Sequence, residues 1–316
     1  MEDSKYGERR VLILTDGKAG HENQSRAFAR ALGCPFDLVA VRFKGKLAKA
    51  ASYVLDRLGA KSLGILDFPG NPEIAGRGYS AVVGTGSGTF YAAKVLARRL
   101  GVKCGVVLTP SGYDLASFDC ILSPAFDNPP KMQNIIEIPA NLVANDESFY
   151  EKGVAAFRER HTPSGKNAVA VIVGGPNKCS TMTADWMKGE LERIFADNPG
   201  CEFWVTTSRR TPADVEAVVD SFPFDYKLLY SKDHFNPIPA FVKLAKRLYV
   251  TAESTGMLSE AATFGTAEVF ALDNLNPGPH KFRRFVENLR SGGYVDGARK
   301  IDLSAQFEAA RRLMGL

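Results

Sequence analysis

The chain has 316 residues, 45 % of them hydrophobic, with a formal net charge of +5, which suits two domains of about 150 residues and does not by itself imply nucleic acid. No apolar run approaches the roughly 18 residues of a transmembrane helix, and Met1-Glu-Asp-Ser-Lys5 lacks the basic-then-apolar layout of a signal peptide. Five cysteines (Cys34, Cys104, Cys120, Cys179, Cys201) without a Cys-x-x-Cys, and four scattered histidines, point to a reduced cytoplasmic protein with no structural metal. From there the chain alternates strand and helix patterns. The apolar run Val11-Leu-Ile-Leu14 predicts a first strand over 11–15, and a helix is expected over 22–32. Between them lies Thr15-Asp-Gly-Lys-Ala-Gly-His-Glu-Asn-Gln24, a strand-to-helix turn at the end of the sheet where ligands bind in α/β proteins. Gly17 and Gly20 allow the backbone to approach a ligand, with Lys18 and Asn23 beside them. His21 is the one histidine in the first 160 residues, and an imidazole there can serve as a general base. The same residues would also suit a polar turn capping a helix.

A strand over 37–43 leads into a segment, Arg42 to Lys61, that holds six basic residues and one acid, Asp56. Leu47, Ala51, Val54, Leu55 and Leu58 recur there at helical spacing. A helix over 46–58 is expected, either a basic amphipathic helix able to lie on an anionic membrane or a core-facing helix with a solvated basic back. Strands follow over 80–84, 104–108, 119–123 and 134–138, with helices over 88–100 and 147–160. Gly84-Thr-Gly-Ser-Gly-Thr89 follows a strand but fits neither a dinucleotide fingerprint nor a phosphate-binding loop ending in Gly-Lys-Ser/Thr. Gly86 and Ser87 could form an amide nest for an anion, although tight strand-to-helix packing also explains the glycines. Thr162-Pro-Ser-Gly-Lys166 is the expected domain boundary.

The second half restarts with a buried strand, 168–173, ending at Gly174 and Gly175. Helices over 183–196, 212–220, 237–246 and 256–264 alternate with strands over 202–206, 226–230, 248–251 and 268–271. Two further helices, 279–291 and 303–314, close the chain. Ser208, Arg209 and Arg210, in a loop after a strand, offer hydroxyl and guanidinium groups suited to a diphosphate. Glu253-Ser-Thr-Gly-Met257 leads into a helix whose free amides suit phosphate. Glu260, one turn further in, can accept hydrogen bonds from vicinal ribose hydroxyls; a capped helix carrying a surface glutamate is the alternative. Together these loops suit nucleotide-diphosphate binding in the second domain and an acceptor in the first.

Asp16-Gly-Lys-Ala-Gly-His-Glu-Asn-Gln24, Thr207-Ser-Arg-Arg-Thr-Pro212, Asn236-Pro237 and Ser259-Glu-Ala261, in that order, resemble the elongated-mitochondria (mitochondrial fission ELM) family over about residues 10–295. Bacterial members of that family carry a glycosyltransferase assignment made by similarity. The family is similar in layout to GT-B glycosyltransferases, including the enzymes that add N-acetylglucosamine to a lipid-linked peptidoglycan precursor. The resemblance implies an α/β fold of GT-B architecture, two Rossmann-like doubly wound domains facing a cleft. It places an acceptor domain at 1–163, a nucleotide-sugar domain at 164–280, and closing helices at 281–316 that pack back on the first domain. By the same resemblance His21 lies near the acceptor, with Asp16 as its substitute in deprotonation, and Gly17, Lys18, Gly20, Asn23, Gly86 and Ser87 line that side. Glu260 matches the carboxylate that holds the ribose, Ser208 a loop position near the diphosphate, and Ser254 to Met257 (Thr255 and Gly256 between) the helix start; Gly174, Gly175, Arg209, Arg210 and Glu253 are expected at the donor from their own chemistry and place in the loops. Two departures stand out. Glu253-Ser-Thr-Gly-Met257 replaces the Asp-Ser-x-Ser-Met expected of the family, and Thr85, Ser87 and Thr89 stand where a histidine is expected.

The expected reaction is transfer of a hexosyl or N-acetylhexosaminyl group from a nucleotide-sugar, UDP-sugar favoured, to an acceptor hydroxyl on a membrane lipid or lipopolysaccharide intermediate. The chain has no Asp-x-Asp, the motif with which single-domain glycosyltransferases hold a metal under the diphosphate. A metal-independent enzyme without a further cofactor is therefore expected, cytoplasmic or peripheral on the inner membrane. Two other readings remain open: a nucleotide-sugar epimerase or hydrolase using Asp16, Glu22 and Glu253, and a non-catalytic membrane-associated interaction protein.

Overall fold

The computed structural model of the chain describes residues 9–60, 62–70, 73–74 and 76–316. The amino-terminal pentapeptide and Lys61 of the basic segment lie outside the described residues. The chain forms two compact units, one of residues 1–144 with 303–316 and one of residues 145–302.

The first unit is built on β1 (Arg10–Thr15), α1 (Ala19–Ala31), β2 (Phe36–Ala40), β3 (Arg42–Phe43), α2 (Lys46–Arg57), β4 (Leu66–Asp67), β5 (Tyr79–Thr85), α3 (Phe90–Leu100), β6 (Lys103–Val107), β7 (Cys120–Pro124) and β8 (Ile135–Ile138). Six strands form a parallel sheet in the order β2-β1-β5-β6-β7-β8. Crossover helices on both faces bury its strands, which explains why Val11 to Leu14 and Ala81 to Val83 are all apolar. The expected single strand 37–43 is broken at Val41, whose amide bonds Thr15. Beyond it, Arg42–Phe43 turns away to pair antiparallel with β4, and Arg42 reaches Asp67.

The second unit comprises α4 (Glu147–Arg160), β9 (Ala168–Ile172), α5 (Ala184–Asp197), β10 (Glu202–Thr206), α6 (Ala213–Ser221), β11 (Tyr226–Leu228), α7 (Ile238–Leu244), β12 (Arg247–Thr251), α8 (Thr255–Thr263), β13 (Glu268–Leu272) and α9 (Lys281–Ser291). Its sheet is also parallel, in the order β11-β10-β9-β12-β13. The last helix, α10 (Ser304–Met314), buries Ala310 and Met314 in the apolar cluster of the first unit.

The boundary differs from the one expected at 163. α4 belongs to the second unit, because Phe157 packs among Trp204, Tyr226 and Phe241. Gly153 makes a close approach to Pro239 possible: a Cβ there would lie 2.5 Å from the proline Cβ. Thr162–Lys166 is thus a turn inside the second unit. The closing segment divides as well, with α9 in the second unit and α10 in the first. Among the described residues, no helix is long and apolar enough to cross a membrane.

Candidate functional site

In a doubly wound sheet the strand order reverses at one point, and the loops that leave the two adjoining strands diverge to form a crevice. In the first sheet that point lies between β1 and β5. The loop after β1 carries Asp16 and His21. α1 starts at Ala19, earlier than expected, so His21 stands in the first helical turn rather than in the loop. His21 Nδ1 lies 3.1 Å from both carboxylate oxygens of Asp16. A carboxylate only accepts, so Nδ1 is the donor to Asp16, which leaves Nε2 as the candidate base. Burial pushes the Asp16 carboxyl up, but the attraction of His21 and the hydrogen bonds from Lys18 outweigh it and hold Asp16 below its ordinary value. Lys18 Nζ lies 3.2 Å from Asp16 as well.

The loop after β5 seats this pair. A Cβ on Gly86 would fall 2.3 Å from His21 Cε1, and one on Gly88 would fall 2.7 Å from Asp16 Cβ. Gly86 is also at φ +80°, where side chains are strained. Gly84 has its own reason, since a Cβ would meet Thr89 Oγ1 at 2.7 Å. Close packing, chiefly against the Asp16–His21 pair, therefore accounts for the glycines of 84–89. Ser87 accepts from Lys49 Nζ at 2.9 Å. Gly17 takes a left-handed φ of +81°, whereas Gly20 faces open space and Asn23 is exposed on α1.

In the second sheet the order reverses between β9 and β12. Three loops lock together there. The Gly174 amide donates to Thr251 Oγ1 and the Gly175 amide to Glu253 Oε1, both at 2.8 Å. Asn274 Nδ2 donates to the other Glu253 oxygen at 2.7 Å, and Thr211 Oγ1 donates to the Gly174 carbonyl at 2.6 Å. Glu253 is buried, and both of its oxygens are engaged inside the protein. It is a clamp that positions the Gly175 loop, which corrects its expected place as a ligand contact. Gly174 and Gly175 are corrected likewise: their amides are taken, and a Cβ on Gly175 would strike the Arg210 carbonyl at 2.2 Å. They shape the site from below. Thr251, Thr211 and Asn274 complete the clamp. Thr251 ends β12, Thr211 lies in the loop after β10, within the Thr207–Pro212 motif, and Asn274 lies just beyond β13.

The other candidate contacts of these loops are less engaged. Leu258 makes the first backbone bond of α8, to Ser254, so the amides of Thr255, Gly256 and Met257 have no partner in the helix. Gly256 is exposed, with open space where a Cβ would be. The side chains of Arg209 and Arg210 are exposed in the turn that Ser208 and Thr211 hold together. Glu260 is half-buried; Tyr150 donates to its Oε1 at 2.9 Å and Asn145 at 3.3 Å. Burial raises the Glu260 carboxyl above its usual value, against the pull of those two bonds. The hydrogen bonds reach only one of its oxygens. Tyr150 and Asn145 are the residues that sequence reasoning missed, because they lie on the far side of the presumed boundary.

Two Rossmann-like units in one chain make this a protein of GT-B fold. A candidate UDP-N-acetylglucosamine 2-epimerase from Listeria monocytogenes has the same fold, with a TM-score of 0.55 at 13 % identity over 98 % of this chain and 89 % of that one. The UDP-GlcNAc 2-epimerase from Methanocaldococcus jannaschii gives 0.53 at 13 % identity, over 96 % and 92 % of the two chains. The chain matches the family model described as mitochondrial fission ELM1 over residues 19–312, and it belongs to that family. An uncharacterised protein of Rickettsia prowazekii (strain Madrid E) is 30 % identical over 167 residues, which is 50 % of this chain and 46 % of that protein. The matched stretch spans about half the length of that curated relative.

Proposed function

We propose that this chain is a glycosyltransferase in which the second unit holds a nucleotide-diphosphate sugar and the first activates an acceptor hydroxyl. The observation that carries this reading is the Asp16–His21 pair, with Nδ1 held at 3.1 Å from the carboxylate and Nε2 left as a base. In the step, the acceptor oxygen bonds to the anomeric carbon, and the bond from that carbon to the diphosphate oxygen breaks. The hydroxyl proton passes to His21 Nε2. Charge on the departing diphosphate is met by the free amides of α8 and by Arg209 or Arg210, without a metal. The unbonded oxygen of Glu260 takes the ribose. Both structural neighbours are named for UDP-N-acetylglucosamine, which makes a UDP-sugar the first donor to test.

A nucleotide-sugar epimerase or hydrolase is the second reading, favoured by the same two neighbours. It needs several carboxylates free to move protons. Glu253 is consumed by the clamp, and Glu22 is engaged by Thr15 and by Arg26. That leaves Asp16 as the one of the three in contact with a base, which weighs toward transfer.

Calorimetric titration of UDP, GDP, ADP and CMP into the full chain tests the donor site. Saturable binding of one nucleotide, weakened in Glu260→Ala and unaffected by a chelator, is the expected result. His21→Ala should then lower transfer by about 10²-fold or more while leaving nucleotide affinity unchanged. Binding of none of the four would overturn the proposal in favour of a non-catalytic protein. Turnover of a nucleotide-sugar without any acceptor would replace it with the epimerase or hydrolase reading.

A further inference from the structure

α2 carries large apolar side chains on its solvent side as well as toward the core. Its inward side packs Tyr53 and Leu55 on the core of the first unit and also buries polar groups: Ser52 bonds Tyr113 at 2.8 Å, and Asp56 lies against Lys94, with both charged side chains buried. Asp56 also accepts the Asp114 amide at 2.8 Å. Its outward face is apolar. Leu47 is 87 % exposed, Val54 59 % and Leu58 75 %. With Ala50, also exposed, these residues fall within an arc of about 80° at 100° per residue, so they form one stripe. A surface helix of a soluble protein carries its apolar stripe toward the core. Here the stripe faces away from the core, and three large side chains in a row exceed the scattered exposure that needs no explanation.

The charges around the stripe say what covers it. Lys44, Lys46 and Arg57 are exposed beside it. Asp56 is the only acid between Arg42 and Leu58, and it points inward onto Lys94. The outward surface is therefore apolar along its centre and cationic at its edge, complementary to a layer with acyl chains beneath anionic headgroups. We infer that α2 docks this protein on an anionic phospholipid bilayer, with Leu47, Val54 and Leu58 entering the headgroup boundary and the cations meeting lipid phosphates. The buried Asp56–Lys94 pair holds the helix in the rotation that this requires.

The test is flotation of the full chain with vesicles of phosphatidylcholine alone and of phosphatidylcholine with phosphatidylglycerol. Binding to the anionic vesicles only, weakened by salt, is expected. Combined Leu47→Ser, Val54→Ser and Leu58→Ser should reduce partitioning more than tenfold. Lys44→Gln, Lys46→Gln and Arg57→Gln should reduce it by about fivefold for each cation removed. All six side chains are exposed, so thermal unfolding of these variants should match the parent. In a Leu47→Trp variant, anionic vesicles should shift the added indole emission to the blue. No binding, equal binding to both vesicle types, or undiminished binding of the triple serine variant would overturn the inference. So would self-association in solution that the serine variant abolishes, since the stripe would then belong to a second copy of the chain.

Discussion

At the scale of single residues, the site depends on atoms that are absent. Gly86 has no side chain because His21 occupies the space where its Cβ would stand. Gly86→Ala must move the imidazole or the loop. A displacement of about 1 Å at a reacting group can cost about 10²-fold in rate. The expected outcome is transfer lowered by about that factor, with nucleotide affinity in the other unit unchanged, measured by turnover and calorimetry on one sample. Gly189→Ala on α5 is the control: its Cβ would meet nothing within 4 Å, and alanine in a helix interior stabilises by about 0.5–1 kcal/mol. A second residue makes a prediction in pH. Glu202 is buried in the second unit, where Ser164, His161 and Trp204 all bond its carboxylate. Burial alone would raise it, but these bonds dominate and bring it down to about 2 from 4.5. Its contribution is full above the unfolded value and is lost as pH falls from about 4.5 toward 2. The loss is about 3 kcal/mol when complete. Urea unfolding across that range should show Glu202→Gln less stable than the parent at pH 7, with the gap closing in acid.

At the scale of elements, most of the fold is legible because parallel strands buried on both faces leave uninterrupted apolar runs. β1, β9, β10 and β12 are plain for that reason. The two-residue strands β3 and β4 leave no pattern to read. The strand-to-helix loops are legible too, since their glycines, hydroxyls and charges stand out against the runs. Which of those residues face a ligand is not legible. Glu253 and Glu260 are the same residue type seven positions apart, yet one is a buried clamp and the other keeps an oxygen unbonded. Tertiary placement separates them: the Gly175 loop and Asn274 beyond β13 enclose Glu253, and Tyr150 of α4 meets Glu260. α2 shows the same limit, because periodicity finds its apolar stripe but not the direction in which it points. The two faces make opposite predictions. Asp56→Ala strands the Lys94 ammonium in the interior and should cost about 3–5 kcal/mol in urea unfolding. Leu58→Ser on the exposed face should change stability by less than about 0.5 kcal/mol. Replacing the pair together, by Asp56→Leu with Lys94→Met, should recover most of the loss, because no charge is then left unpaired.

At the scale of the whole molecule, the chain does not divide where its sequence breaks. The Pro/Gly segment at 162–166 looks like a linker, but Ser164 bonds Glu202 through both its amide and its hydroxyl. That holds the segment against the second sheet. The helix before it supplies Phe157 to the aromatic cluster and Tyr150 to Glu260. At the other end, α9 buries Phe285, Val286 and Leu289 in the second unit. The strand of chain beyond it returns to bond β13 and α8 through Asp296 and Ile301. A fragment of residues 164–280 lacks α4, α9 and the returning segment and leaves a large apolar surface uncovered. A fragment of residues 145–302 keeps the sheet, its covering helices and every residue of the proposed donor site. Domains with their own core fold alone. The longer fragment should therefore unfold cooperatively in urea and bind the same nucleotide as the full chain, with affinity within a few-fold. The shorter one should give a broad transition and no nucleotide binding. If both fragments behaved alike, α4 and α9 would be dispensable to the second unit, and Tyr150 would have no part in setting Glu260 toward a ribose.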